Sequence, residues 1–275
     1  MKTITFIGTG NMAGAIIRSL VGAGTEASLI TVFDKFADKA RELCALGVNA
    51  AETLTDALSA SELILLSVKP QNFAEVTAEM TATGVDLSKK TFISIAAGIS
   101  TAAIEEMLGG EYAVVRVMPN TPLQIGKGAS ALCRNARVSG EDFAMACDIF
   151  RAGGMVVTLD ESQMNTVICA NGSSPAYFYY FIDAMVRSAK AQGLECSERE
   201  LLELVCKTVI GSAEMLLASG KTADELVRQV TSPKGTTERA MNVLREEKVD
   251  EIIDRAMRAC TERAEEMGAA FGKKA

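Results

Sequence analysis

The chain has 275 residues, 48% of them hydrophobic, which is enough to bury one large core or two ordinary ones. Its net charge of -7, spread over interspersed acidic and basic residues, argues against nucleic acid and anionic membrane as partners. There is no histidine, which excludes a Ser-His-Asp triad, a Cys-His pair and a histidine proton shuttle, and no C-x-x-C pair, so no metal site is expected.

The cysteines read as reduced, small apolar residues, as in a cytoplasmic protein. A strand pattern starts at once, over Lys2 to Ile7, with no signal segment ahead of it. The most apolar stretch, Ala176 to Val186, is interrupted by Asp183 and is too short to span a bilayer. Cytoplasmic localisation without a membrane partner is the expectation.

Along the first part of the chain, short apolar runs alternate with helical patterns. The runs are Ile4 to Ile7, Leu29 to Phe33, Leu63 to Val68, Thr91 to Ala96 and Ala113 to Met118. Residues 11–23, 36–46, 72–82 and 101–108 read as the helices between them. A further helix over 139–152 leads to a last strand at Val156 to Thr158. This alternation predicts a parallel sheet covered on both faces.

After Asp160 the strand signals stop. Residues 161–168, 173–192, 198–218, 222–229, 234–246 and 248–270 read as helices. The aromatic run Tyr177 to Phe181 is expected in a helix-bundle core. The 198–218 segment is apolar on more than one side, which suits either a partner subunit or a central bundle position.

Gly8-Thr9-Gly10-Asn11-Met12-Ala13 joins the first strand to the first helix. Gly8 permits a tight turn, Gly10 lets a pyrophosphate approach the backbone, and small Ala13 lets helix and strand pack. The helix N-terminus then holds the phosphates. Asp34 ends the second strand about 20 residues further on, where a carboxylate accepts from the adenosine ribose and favours NADH. Lys35 beside it suits the 2′-phosphate of NADPH, so both cofactors stay open. The fold class is therefore an α/β N-terminal Rossmann domain, residues 1–159, followed by an all-α C-terminal domain, residues 160–275.

Far downstream lies Val230-Thr231-Ser232-Pro233-Lys234-Gly235-Thr236-Thr237. Ser232 is a good helix N-cap and Pro233 a good first helical residue. The N–H groups of Gly235, Thr236 and Thr237 would then be free to bind a carboxylate or phosphate. Plain helix capping explains the segment equally well.

The chain resembles the pyrroline-5-carboxylate reductases nearly end to end. The motifs are G-T-G-N-M at 8–12, V-K-P-Q at 68–71, A-A-G-I-S at 96–100, R-V-M-P-N-T-P at 116–122, G-S-S-P-A-Y at 172–177 and V-T-S-P-K-G-T-T at 230–237. The resemblance implies reduction of 1-pyrroline-5-carboxylate to L-proline with NADPH or NADH. It also implies a C-terminal dimerisation domain whose helices form a homodimer, with dimers assembling into decamers. Val68, Lys69 and Pro70 would line the adenosine side of the cofactor, and Ala97, Met118, Pro119, Asn120 and Thr121 the nicotinamide side. Ser232, Gly235, Thr236 and Thr237 would hold the substrate carboxylate, with Thr237 also bonded to the ring nitrogen and Glu161 near the pocket. Lys234 and Ser174 depart from the family's pattern, which often has glycine at both places.

Two other readings compete. A 3-hydroxyacid dehydrogenase needs a base and is expected to carry a lysine on its interdomain helix, but no lysine occurs between Lys127 and Lys190. A non-catalytic NAD(P)-binding regulator would keep the glycine turn but would have no use for Thr237.

Overall fold

The computed structural model describes residues 2–271. Its strands are β1 (Ile4–Ile7), β2 (Ile30–Phe33), β3 (Asn49–Ala50), β4 (Leu63–Leu66), β5 (Thr91–Ser94), β6 (Ala113–Met118), β7 (Gly128–Arg134) and β8 (Gly154–Thr158). They form one sheet in the order β3-β2-β1-β4-β5-β6-β7-β8. The first six positions are parallel, in the strand order of a doubly wound dinucleotide-binding sheet. The last two depart from the expected all-parallel sheet: β7 is antiparallel to β6, and β8 runs parallel to β7.

The helices on the sheet are α1 (Asn11–Gly22), α2 (Ala37–Cys44), α3 (Leu54–Ala60), α4 (Phe73–Ala82), α5 (Thr101–Leu108) and α6 (Gly140–Arg151). Strand residues alternate between two buried clusters. Ile4, Phe6, Leu63 and Leu65 join one with Ile16, Ile17 and Phe150, and Ile7, Ile64 and Leu66 join the other with Phe73, Phe92 and Ile104. Burial on both faces is why β1 and β4 read as unbroken apolar runs.

The sequence reading missed β3, β7 and α3. The β7 run G-A-S-A-L-C-R has no β-branched residue, so it carries no strand signal. Its small residues answer to packing: a Cβ on Gly128 would fall 2.8 Å from that of Leu123. The helix expected over 161–168 is also absent. Glu161–Gln163 is one turn of 3-10 helix, and a π-helical turn follows at Ile168–Gly172.

The remaining helices are α7 (Ser174–Ala191), α8 (Glu198–Ser219), α9 (Ala223–Val230), α10 (Thr236–Glu246) and α11 (Val249–Phe271). Side-chain caps set several of their limits: Ser197 and Glu200 form a capping box on α8, and Gly220 in the left-handed region ends it. The chain divides into two compact units. One holds everything up to Pro175 plus the end of α11 from Ala259, and the other is Ala176–Arg258. Strand signals stop at Thr158, but the compact sheet unit extends past the expected boundary after residue 159.

Tyr177 to Phe181 was expected in a bundle core. Instead Phe178, Tyr179, Tyr180 and Phe181 are exposed in the single chain, as are Leu202, Leu204, Ile210 and Leu217. Four helices and part of a fifth have more apolar surface than they can cover by themselves. Among the described residues no helix is long and apolar enough to cross a membrane.

Candidate active site

The glycine turn sits where the sheet order reverses, between β1 and β4. Gly8 has φ +93°, and a Cβ there would lie 3.0 Å from both the Ser67 carbonyl oxygen and Val68 Cγ1. Only glycine serves at such a position. Ser67 fixes the turn by donating its hydroxyl to the carbonyls of Ile7 (3.0 Å) and Gly8 (2.6 Å). Gly10 is the N-cap of α1, no side chain caps that helix, and its first turn holds no acid. A Cβ on Gly10 would meet nothing within 4 Å, so the ground before the helix N-terminus is open. Asn11 and Met12 form the start of that first turn. An uncapped helix end facing open space fits a pyrophosphate.

A cleft of about 270 Å³ continues from this turn, lined among others by Thr9, Asp34, Lys35, Val68 and Lys69. Lys69 caps a 3-10 turn that begins at Pro70. Asp34 does more than the sequence suggested. Thr9 donates its N–H (2.8 Å) and its hydroxyl (2.9 Å) to Asp34 Oδ2, and the Phe36 N–H donates to Oδ1 (3.0 Å). The carboxylate thereby ties the glycine turn to the end of β2. Lys35 donates to Glu75 of α4 at 2.8 Å, and that bond raises the lysine's pKa.

The residues expected beside the nicotinamide follow the next two strands. Half-buried Ala97 comes after β5, next to Gly98 at φ +80°. A Cβ on Gly98 would lie 3.2 Å from the Ala264 carbonyl oxygen, so α11 backs this loop directly. Met118 ends β6, and Pro119 and Asn120 follow it, both buried.

Asn120 is held at both ends of its amide. Oδ1 accepts from the Ala129 N–H (2.9 Å), and Nδ2 donates to the Asn171 carbonyl (3.2 Å). Asn171 in turn donates to the carbonyls of Met118 (2.7 Å) and Ala129 (3.1 Å). A Cβ on Gly172 would overlap Met118 Cε. The sequence reading did not single out Asn171 or the π-helical turn that carries it. The signal was an Asn-Gly pair whose glycine opens the G-S-S-P-A-Y motif.

Glu161 is expected near the substrate, but its carboxylate is occupied elsewhere. It accepts the Thr101 N–H (2.7 Å) and hydroxyl (2.5 Å), and lies 3.8 Å from the Arg116 guanidinium. Arg116 is 4% exposed and also donates to Asn165 Oδ1 (2.6 Å). Burial lowers the guanidinium's pKa, opposed by the nearby Cys133 and Glu161, and burial pushes the Cys133 thiol up to about 11. The cluster braces the start of α5, with a neutral thiol beside a paired charge. Among the described residues no group of His, Cys, Asp and Glu could hold a metal ion.

In the helical unit the V-T-S-P-K-G-T-T segment corrects the expected cap. Lys234 has φ +62°, which no helix tolerates, so α10 starts after it with Gly235 as N-cap. Ser232 and Pro233 instead open a turn, closed by the Gly235 N–H donating to the Ser232 carbonyl at 3.0 Å. A Cβ on Gly235 would fall 2.5 Å from Ser232 Oγ, so glycine is required there. The Gly235 N–H is thus spent. No side chain caps the helix, so the open first-turn donors belong to Thr236, Thr237 and Glu238.

A doubly wound sheet with an uncapped glycine turn at its switch point, an acid ending β2 and a separate helical unit later in the chain define a two-unit, dinucleotide-dependent oxidoreductase. Comparison with known proteins narrows this. Residues 161–267 match the family described as pyrroline-5-carboxylate reductase dimerisation, and residues 3–98 match NADP oxidoreductase coenzyme F420-dependent. The chain is 38% identical to the pyrroline-5-carboxylate reductase of Vibrio alginolyticus, over 98% of this chain and 99% of the relative. Among solved structures it is similar to a pyrroline-5-carboxylate reductase from Coxiella burnetii, with TM-score 0.88, 32% identity and coverage of 97% and 98% of the two chains. The Plasmodium falciparum pyrroline carboxylate reductase with NADP bound matches at TM-score 0.88 and 27% identity, covering 97% and 98%. The chain belongs to the pyrroline-5-carboxylate reductase family.

Proposed function

We propose that this chain reduces (S)-1-pyrroline-5-carboxylate to L-proline, the last step of proline biosynthesis. NAD(P)H supplies the hydride for the C=N carbon. Everything else falls to the chain's own groups, which bind, orient and exclude water.

The carrying observation is the pairing of two uncapped helix N-termini with family membership over the whole chain. One follows the glycine turn and suits a pyrophosphate; the other follows Gly235 and suits a carboxylate. The first-turn N–H groups of Thr236 and Thr237 hold the substrate carboxylate, and Ser232 and Gly235 shape the turn that exposes them. Thr237 Oγ1 hydrogen-bonds the ring nitrogen and steadies it as iminium becomes amine. A protonated imine already accepts hydride well, so the absence of histidine is no handicap. Gly8, Thr9, Gly10, Asn11, Met12, Asp34, Val68, Lys69 and Pro70 serve the adenosine and pyrophosphate. Ala97, Met118, Pro119 and Asn120 serve the nicotinamide. Glu161 acts at one remove, by fixing Thr101 and Arg116.

Residues 1–159 form the cofactor domain, and residues 160–275 carry substrate binding and dimerisation. The exposed aromatic and aliphatic residues of α7 and α8 supply a homodimer face, and on the family resemblance dimers assemble into decamers in the cytoplasm. No nucleic-acid or membrane partner is required.

The test is direct. Purified protein is given pyrroline-5-carboxylate with NADH and with NADPH, and proline is measured. Failure with both cofactors overturns the reading.

A further inference from the structure

NADH and NADPH differ only at the adenosine 2′ position, where NADPH carries a phosphate of roughly -1.5 to -2 charge. The adenosine end of the cleft therefore records which cofactor the chain was built for. Three carboxylates line it, Asp34, Glu75 and Glu79, together with three ammonium groups, Lys35, Lys39 and Lys69. The charges cancel, so the cleft offers no net attraction to an added phosphate.

Position matters more than the count. Asp34 is fixed by three donors, two of them on Oδ2 and one on Oδ1. One acceptor site on Oδ1 is left for a ribose hydroxyl, which it can bond, while a phosphate there meets like charge. Lys35, next to it, is the residue that could neutralise such a phosphate. It is committed instead to α4, with Nζ 2.8 Å from Glu75 and 3.9 Å from Glu79. Lys39 lies over the Phe36 ring, 5.4 Å from its centroid. Nothing in the sequence near β2 announces Glu75 and Glu79, which come from a helix about 40 residues away.

We infer that this cleft selects NADH over NADPH, with Asp34 setting the preference and Glu75 and Glu79 enforcing it by engaging the lysine that would otherwise accept a 2′-phosphate. The inference rests on the dinucleotide reading of the cleft but not on the imine reading of the reaction.

The experiment measures dissociation constants by nicotinamide fluorescence for NADH and NADPH, and by calorimetry for ADP-ribose and its 2′-phosphate. No imine is present. NADH is expected to bind at least about tenfold more tightly, a difference of about 1.4 kcal/mol, and the fragments to show the same order. The E75Q/E79Q double variant should shift the ratio toward NADPH about three- to tenfold, a modest change because the ion pairs are exposed. Equal or tighter NADPH binding by the unaltered protein overturns the inference. An unchanged ratio in E75Q/E79Q removes the two glutamates from it. Binding of neither nucleotide overturns the dinucleotide reading as well, whereas NADH binding without proline formation overturns only the imine reading.

Discussion

The backbone N–H of Lys234 donates to Glu238 Oε2 at 2.8 Å, while Lys234 itself sits at φ +62°. Glu238 therefore reaches back from the first turn of α10 to clamp the residue ahead of the helix cap. The clamp holds a lysine in a region that L-residues avoid at a cost of roughly 1–2 kcal/mol. Glycine, which enters that region freely, would avoid the cost. The clamp also gives Lys234 a backbone explanation that its charge does not.

Lys234→Gly should therefore stabilise the protein. Relief of the left-handed strain outweighs the extra freedom of glycine in the unfolded chain, for a net gain of about 0.5–1 kcal/mol. Urea unfolding of the two proteins at equal concentration reads this as a higher midpoint at unchanged slope. Loss of stability would show that the lysine side chain contributes more than the backbone costs.

Thr237 lies two residues past the cap, in the turn that the Lys234 conformation exposes. If it bonds the ring nitrogen, Thr237→Ala removes a charge-assisted hydrogen bond of roughly 1.5–3 kcal/mol. kcat/KM for the imine then falls on the order of 10–100-fold, while Thr237→Ser keeps most of the activity. Steady-state kinetics decide it. Wild-type kcat/KM in the alanine variant would take Thr237 out of the mechanism.

The cofactor half of this protein was legible because its signals are local. Gly8, Gly10 and Asp34 declare a strand-turn-helix unit, and continuous apolar runs such as Leu63 to Leu66 declare strands buried on both faces. What escaped was set by distant partners. β7 is a strand because β6 and β8 pair with it, not because of its own propensity. The cap of α10 is a local exception: it moved from Ser232 to Gly235 because the helix cannot include Lys234 at φ +62°. Glu161 has the composition of a binding residue, but Thr101 and Arg116 occupy its carboxylate. Tyr177 to Phe181 has core composition, yet Phe178 to Phe181 lie on a surface that one chain cannot cover.

Asn171 and Gly172 belong to the same class of distant effect, and their contact with Met118 makes it testable. The Gly172→Ala Cβ would occupy the place of Met118 Cε, the far end of a flexible side chain. Methionine can turn aside, so the fold should survive. Alanine gains about 1 kcal/mol of helix propensity over glycine, and the repacking costs a similar amount, so stability changes by less than about 1 kcal/mol. Activity should suffer more. Met118 leads into Pro119 and Asn120, and if these flank the nicotinamide as proposed, a small displacement there lowers the rate roughly tenfold or more. A double-mutant cycle with Met118→Ala separates the causes. If the clash is responsible, Gly172→Ala costs little once Met118 has been shortened. Equal losses of kcat/KM in the presence and absence of the Met118 side chain would mean that Gly172 acts through the π-helical backbone instead.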